Sequence, residues 1–178
     1  MSKSRSTSFT LIRGSSGIGE LPSFDDANDA KERLGTLAYV RSGVRSARQR
    51  RPFPMDVTLD GHPFFEGEAT CLLVGNTGRL KAGVEAFPDA SVTDGQLDVA
   101  VLTAAGMREW AGLMVAAVRH RQHLSGHAQM GEGVKIVARF ANEHRFELDG
   151  GTKGRAKRLK VRIVPASLVI CAPPDSPL

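Results

Sequence analysis

Aspartate followed by glycine occurs at Asp60-Gly61, Asp94-Gly95 and Asp149-Gly150. An aspartate with its ordinary pKa of about 3.9 is ionised at neutral pH and can accept the proton of an alcohol as its oxygen attacks. A glycine on its downstream side leaves room for a substrate to approach. Phosphoryl transfer to an alcohol needs such a carboxylate, with Mg²⁺ and cations around the transferring phosphate, and draws most of its rate from positioning and charge stabilisation. By residue type alone each corner is equally a turn. Leu59-Asp60-Gly61 repeats the tripeptide Leu148-Asp149-Gly150, and Asp94-Gly95 reads as a corner leading into a strand.

Other reactive side chains point away from metal or nucleotide-loop chemistry. His120, His123 and His127 are loosely spaced with no carboxylate or thiol beside them, so a metal site is not expected there. Gly14-Ser15-Ser16-Gly17-Ile18-Gly19 lacks a phosphate-binding lysine and reads as a flexible loop. Cys71 and Cys171 sit in apolar runs and read as buried thiols, which fits a reducing compartment. Arg158, Lys160 and Arg162 alternate with Leu159, Val161 and Ile163, placing three cations on one strand face. That face is either a charged outer surface that discourages edge pairing or a surface for anionic lipid or nucleotide phosphate. The cluster Arg41, Arg45, Arg48, Arg50 and Arg51 is either a solvated helix end or an attractor of acidic lipid headgroups.

The elements that must position these groups are mostly strands. Cys71–Val74 and the run after Asp98 read as two buried strands joined by a long polar loop, with a tight turn at Phe87-Pro88-Asp89-Ala90. Long loops in compact domains are functional or disordered, and this one reads as functional. Met55–Leu59, Asp60-Gly61 and His62–Phe65 predict a hairpin. Strands are expected over Val134–Phe140, Arg145–Leu148, Arg158–Ile163 and Ser167–Ala172. Helices are expected over Asp29–Val44, with Asn28 or Asp29 as N-cap, and over Met107–Leu124. On the second, Met107, Trp110, Leu113, Met114, Ala117 and Val118 share one face, with Trp110 as a core anchor.

A chain of 178 residues with 41% hydrophobic and 24% charged residues suits one globular domain. Net charge +5 implies affinity for anions. The basic cluster has no interleaved aromatic residues, which argues against a nucleic-acid groove. No apolar run approaches a membrane span and the basic, Ser-rich start has no apolar segment behind it, so a cytoplasmic protein is expected.

Several motifs in order complete the reading: Val74-Gly75-Asn76 with Gly78-Arg79 and Gly83, Pro88-Asp89-Ala90, and Asp94-Gly95-Gln96-Leu97-Asp98-Val99. Leu148-Asp149-Gly150, Arg158–Pro165 and Leu168–Pro173 follow, and Lys31, Leu34-Gly35 and Leu37-Ala38-Tyr39 stand upstream. This arrangement resembles the carboxy-terminal half of the diacylglycerol kinase catalytic family, bacterial lipid kinases that share a two-domain fold with NAD kinases. The resemblance implies a mainly β fold, an antiparallel β-sandwich with one or two covering helices over residues 31–173. Residues 1–30 would be a flexible tail and inter-domain remnant, and 174–178 a frayed end.

It further implies an ATP-dependent lipid kinase acting on diacylglycerol or a related lipid, at or near an acidic membrane surface. Asp149 would be the proton-accepting base. Asp94 would hold a structural Mg²⁺ together with backbone carbonyls of Ser91 and Gln96, Asp98 would orient the corner, and Asn76 with its neighbouring glycines would shape a cleft. Gly151 stands where the family usually has an acidic residue. The family's ATP-binding Gly-Gly-Asp-Gly motif does not precede this stretch. The chain is therefore expected to be the acceptor-side half, needing an ATP-binding partner domain. The alternatives are a non-catalytic remnant binding lipid or protein, and half of an NAD kinase.

Overall fold

The computed structural model describes residues 10–13, 51–78, 86–118, 126–148 and 151–167. Within them the chain forms β1 (Thr10–Arg13), β2 (Phe53–Leu59), β3 (His62–Ala69), β4 (Cys71–Gly75) and β5 (Leu97–Leu102). Then follow α1 (Met107–Val118), β6 (Ala128–Gly133), β7 (Lys135–Leu148) and β8 (Gly151–Arg162). Every described pairing is antiparallel, in the order β3-β2-β7-β1-β4-β5-β6, with β8 added to β7. The expected mainly β, sandwich-like architecture is what forms.

The β2–β3 hairpin turns at Asp60 (φ 51°) and Gly61 (φ 90°), two left-handed residues in sequence, the backbone that matches the twist of a two-residue hairpin. Asp60 also ties this turn to the start of β7. Its Oδ2 accepts the Val134 N–H (3.1 Å), its Oδ1 accepts the Lys135 N–H (2.7 Å), and its own N–H donates to the Lys135 carbonyl (2.8 Å). The sheet folds back so that its ends meet: Gln129 Nε2 on β6 donates to the Phe64 carbonyl on β3 at 2.6 Å. A Cβ on Gly131 would lie 2.7 Å from the Phe64 ring, so the absence of a side chain there permits this approach.

β7 is one strand where two were expected. Its first part pairs with β2 and its last part with β1, and its register against β8 shifts between Arg139 and His144. A bulge of this kind bends a strand without ending it. His144 fills the bend, stacked on Phe53 with ring centroids 3.9 Å apart.

Two further corrections concern β6 and β1. β6, Ala-Gln-Met-Gly-Glu-Gly, has neither β-branched nor strictly alternating apolar residues and was not expected as a strand. Residues 10–13, part of the expected tail, form β1 between β7 and β4. Thr-Leu-Ile-Arg there supplies ladder partners to two strand edges that would otherwise face each other unpaired.

One core gathers Met55, Val57, Leu72, Val74, Val99, Val101, Ile136 and Phe140 between the folded halves. A second, on the other face of β4 and β5, joins Cys71, Phe87, Ala100, Leu102, Trp110 and Leu113. β5 is therefore buried at all six positions, as a strand covered on both faces must be. Full burial of Phe87 or Leu113 contributes about 1.5–3 kcal/mol each. Trp110 is the core anchor expected, at 4% exposure, whereas Met107, the first residue of the helix, is half exposed. Glu109 reaches back to accept the Ala105 and Gly106 N–H groups (2.7 and 3.4 Å), which caps that end. These two bonds, aided by His127, hold the Glu109 carboxyl below its ordinary pKa. No described helix is long and apolar enough to cross a membrane.

The expected helix over Asp29–Val44, the Gly14–Gly19 loop and residues Lys31–Tyr39 lie outside the described residues. So do Arg41–Arg50, Gly83, residues 119–124 with His120 and His123, and Leu168–Pro173 with Cys171.

Candidate functional site

The long connection from β4 to β5 builds the candidate site. After Gly78 the chain returns to its start, since the Gly78 carbonyl accepts the Ala86 N–H (2.8 Å) and the Phe87 N–H (3.1 Å). Phe87 is then buried in the second core, and the Ala90 N–H donates back to the Phe87 carbonyl (3.3 Å), closing the expected Phe87–Ala90 turn. The buried ring anchors the loop, and the turn delivers Asp89 to its surface.

At the next corner Asp94 Oδ1 accepts the Gln96 N–H at 2.8 Å, and Gly95 takes φ 75°, a left-handed backbone that favours glycine. Ser91 Oγ and Thr93 Oγ1 are 3.1 Å apart. The hydrogen bond that orients this corner thus comes from Asp94 itself. Asp94 is exposed and Ser91 and Gln96 are half-buried, all three within one short segment. Among the described residues no group of three or more His, Cys, Asp or Glu side chains could hold a metal ion. A cation here would rest on the Asp94 carboxylate and backbone carbonyl oxygens. That all-oxygen donor set, leaving coordination positions for water, suits Mg²⁺.

Asp98, the second residue of β5, borders a cleft of about 160 Å³ lined by Phe87, Pro88, Asp89, Asp98, Met130, Gly131 and Glu132. The register sets Asp98 opposite Gly75 on β4 and Glu132 on β6. Burial, reinforced by the charges of Glu132 and Asp94 and more weakly by Asp89, pushes the Asp98 carboxyl up to about 6 against the pull of its own backbone N–H. Surplus negative charge therefore converges on one end of β4, β5 and β6. One and two residues beyond the Gly75–Asp98 pair, Asn76 Oδ1 and Thr77 Oγ1 are buried without a hydrogen-bond partner among the described residues. Buried polar atoms of this kind call for a partner, and a ligand or ordered water can supply it.

The structure links Asp94 to Gln96 by a hydrogen bond, and Ser91 is bonded to Thr93 in the same short segment. Asp149 and Gly150 lie outside the described residues; the flanking strands end at Leu148 and begin at Gly151, which are paired with each other. Gly151 is exposed, and a Cβ there would meet only the Leu148 carbonyl, at an ordinary 3.5 Å. Sequence reasoning missed Glu132, because β6 carries no recognisable strand pattern, and it did not anticipate the proton affinity of Asp98. Only the cross-strand register puts these two carboxylates side by side.

The sequence profile of the YegS C-terminal NAD kinase beta sandwich-like domain matches residues 19–172. The diacylglycerol kinase of Bacillus subtilis (strain 168) is 27% identical over 142 residues, covering 80% of this chain and 46% of that protein. A protein of Xanthomonas oryzae pv. oryzae (strain MAFF 311018) named "Probable lipid kinase YegS-like" is 28% identical over 166 residues, covering 92% and 53%. A crystal structure of a Bacillus anthracis diacylglycerol kinase superposes with a TM-score of 0.54 over 89% of this chain and 46% of that one, at 16% identity. The chain thus spans about half the length of the curated relatives it matches.

Proposed function

Because the chain belongs to the family of YegS C-terminal NAD kinase beta sandwich-like domains, we propose that it is the acceptor-side domain of an ATP-dependent kinase of diacylglycerol or a related lipid. Named relatives of this family are diacylglycerol and lipid kinases. The observation that carries the reading is the acidic end of β4, β5 and β6, where Asp94, Asp98 and Glu132 converge beside Asn76 and Thr77 oxygens that have no partner among the described residues. In this reading a second domain, supplied by a partner or another segment, brings ATP, and this chain receives the lipid hydroxyl.

Asp149 takes the proton of that hydroxyl as it attacks, at the junction of β7 and β8. The Asp94 carboxylate and the backbone carbonyls of Ser91 and Gln96 would hold Mg²⁺, and the Gln96 N–H already fixes Asp94 Oδ1. A bound Mg²⁺ supplies a fixed positive charge that offsets the carboxylates around Asp98. Asn76 and Thr77 offer oxygens for an alcohol or water donor at the same end of the sheet.

The test is a chimera joining the ATP-binding half of the Bacillus subtilis diacylglycerol kinase to this chain, assayed for transfer of labelled γ-phosphate to diacylglycerol in mixed micelles with Mg²⁺. Transfer that falls by a hundredfold or more with Asp149→Asn, in line with loss of a general base of about 10²–10⁴-fold effect, supports the reading. A chimera that binds ATP but phosphorylates no lipid overturns it. Phosphorylation of NAD in place of lipid would favour the NAD kinase alternative.

A further inference from the structure

The β7–β8 ribbon holds nine Lys and Arg residues against two Glu, more positive charge than the whole chain nets. All nine are exposed. The register sets cation against cation, Lys135 opposite Arg162 and Arg139 opposite Arg158, with Lys160 between them on β8. Directly opposed like charges destabilise a sheet, so this arrangement costs folding energy that an external anion can offset. Beyond Arg139 the sign reverses. Asp56 opposes it on β2 and Glu66 opposes Asp56 on β3, so the basic face ends at β7 and keeps to one edge of the sheet.

At one end of the ribbon two large apolar residues stand out of the protein beside these cations. Val134 is 46% exposed next to Lys135, and Val164 is 55% exposed two residues past Arg162. The Ile163 N–H donates to the Val134 carbonyl (3.1 Å), which keeps both valines at the same tip. The inward residues Leu159, Val161 and Ile163 pack against the first core, which holds the cations on the outside.

We propose that this tip and the outward face behind it dock onto an anionic phospholipid surface. Cations alone would fit any polyanion, but exposed valines flanked by Lys and Arg fit a boundary where headgroup charge gives way to hydrocarbon. β8 contains no aromatic residue on which a nucleobase could stack. The docking requires no phosphoryl transfer, so it stands or falls apart from the kinase reading.

The test measures binding of the full 178-residue chain to vesicles of mixed phosphatidylglycerol and phosphatidylcholine, with phosphatidylcholine vesicles as reference. The salt is about 0.1 M, where screening acts over about 10 Å. The expected result is binding only to the anionic vesicles, weakened about tenfold or more by Lys160→Gln with Arg162→Gln, since each such cation acts by roughly fivefold. Arg51→Gln with Arg108→Gln removes the same charge elsewhere on the surface and should change binding by less than about twofold. The charge-preserving pair Lys160→Arg with Arg162→Lys should bind as the parent does, separating lost charge from a damaged fold. Val134→Ser with Val164→Ser should remove the binding that survives in high salt. Equal losses from the two Gln pairs would reduce the effect to net charge and overturn the proposal. So would loss confined to Arg45→Gln with Arg48→Gln, or duplex DNA binding as strong as vesicle binding and indifferent to both valines.

Discussion

Asp98 on β5 stands directly opposite Glu132 on β6, and the two carboxylates share one cleft. Burial is the first reason the Asp98 carboxyl rises to about 6, and Glu132 the second. A carboxyl with a raised folded pKa holds its proton in the native state while the unfolded chain has already released it. Stability from this group is therefore complete below about pH 4 and is lost as pH rises through about 6. Asp98→Asn should leave stability near pH 4 unchanged and raise it above pH 6. The gain should be about 1 kcal/mol, less than the full shift implies because Glu132, Asp94 and Asp89 are exposed and screened. Urea midpoints across that range check this, and a gain that is the same at both ends would refute it.

The same excess of negative charge predicts how the protein answers Mg²⁺. In a hundredfold excess over Kd, a bound ion should stabilise the fold by about 2.7 kcal/mol. Asp94→Asn should abolish the effect, because asparagine keeps the Oδ1 acceptor for the Gln96 N–H while removing the charge. Thermal melts with and without Mg²⁺ decide it. Equal stabilisation of both proteins would place the ion elsewhere.

Gly151 should accept a carboxylate. The space around its Cβ position is open apart from the Leu148 carbonyl, so Gly151→Glu should change stability by less than about 0.5 kcal/mol. In the chimera it should raise phosphate transfer to diacylglycerol, by placing a carboxylate two residues from the proposed base Asp149. A large drop in melting temperature, or unchanged transfer, would count against this.

Gly131→Ala should be costly, because its Cβ would lie 2.7 Å from Phe64 Cε2 and 3.1 Å from Leu59 Cδ1 where the ends of the sheet meet. Overpacking of this kind costs about 1–3 kcal/mol. The double variant with Phe64→Leu should recover part of the loss, measured as a return of the urea midpoint. Additive losses would show that the two side chains do not meet.

Much of the local structure was legible before any fold was known. Asp60-Gly61 turns a hairpin because its two residues tolerate left-handed backbone, and Phe87-Pro88-Asp89-Ala90 closes as the expected turn. Arg158, Lys160 and Arg162 point outward while Leu159, Val161 and Ile163 pack inward, as period two requires. Asp94, Ser91 and Gln96 are grouped only through the family resemblance, since the residues themselves read as a turn into a strand. Met107 is placed on the apolar face by helical spacing yet is half exposed, because spacing gives the direction of a side chain and not whether anything packs on it.

By itself the sequence determined most of the strands and turns, which of their faces are apolar, and the family to which their order points. Those are local properties, set by backbone preferences and by burial patterns that repeat every two residues. The tertiary structure alone decided that Thr10–Arg13 lies between β7 and β4, that a strand without an apolar pattern runs over Ala128–Gly133, and that Glu132 faces Asp98. It also decided that Lys135 and Arg162 gather beside two exposed valines. Each of these depends on register between segments far apart in the chain, where pairing is chosen by the sum of the packing and not by any residue's own preference.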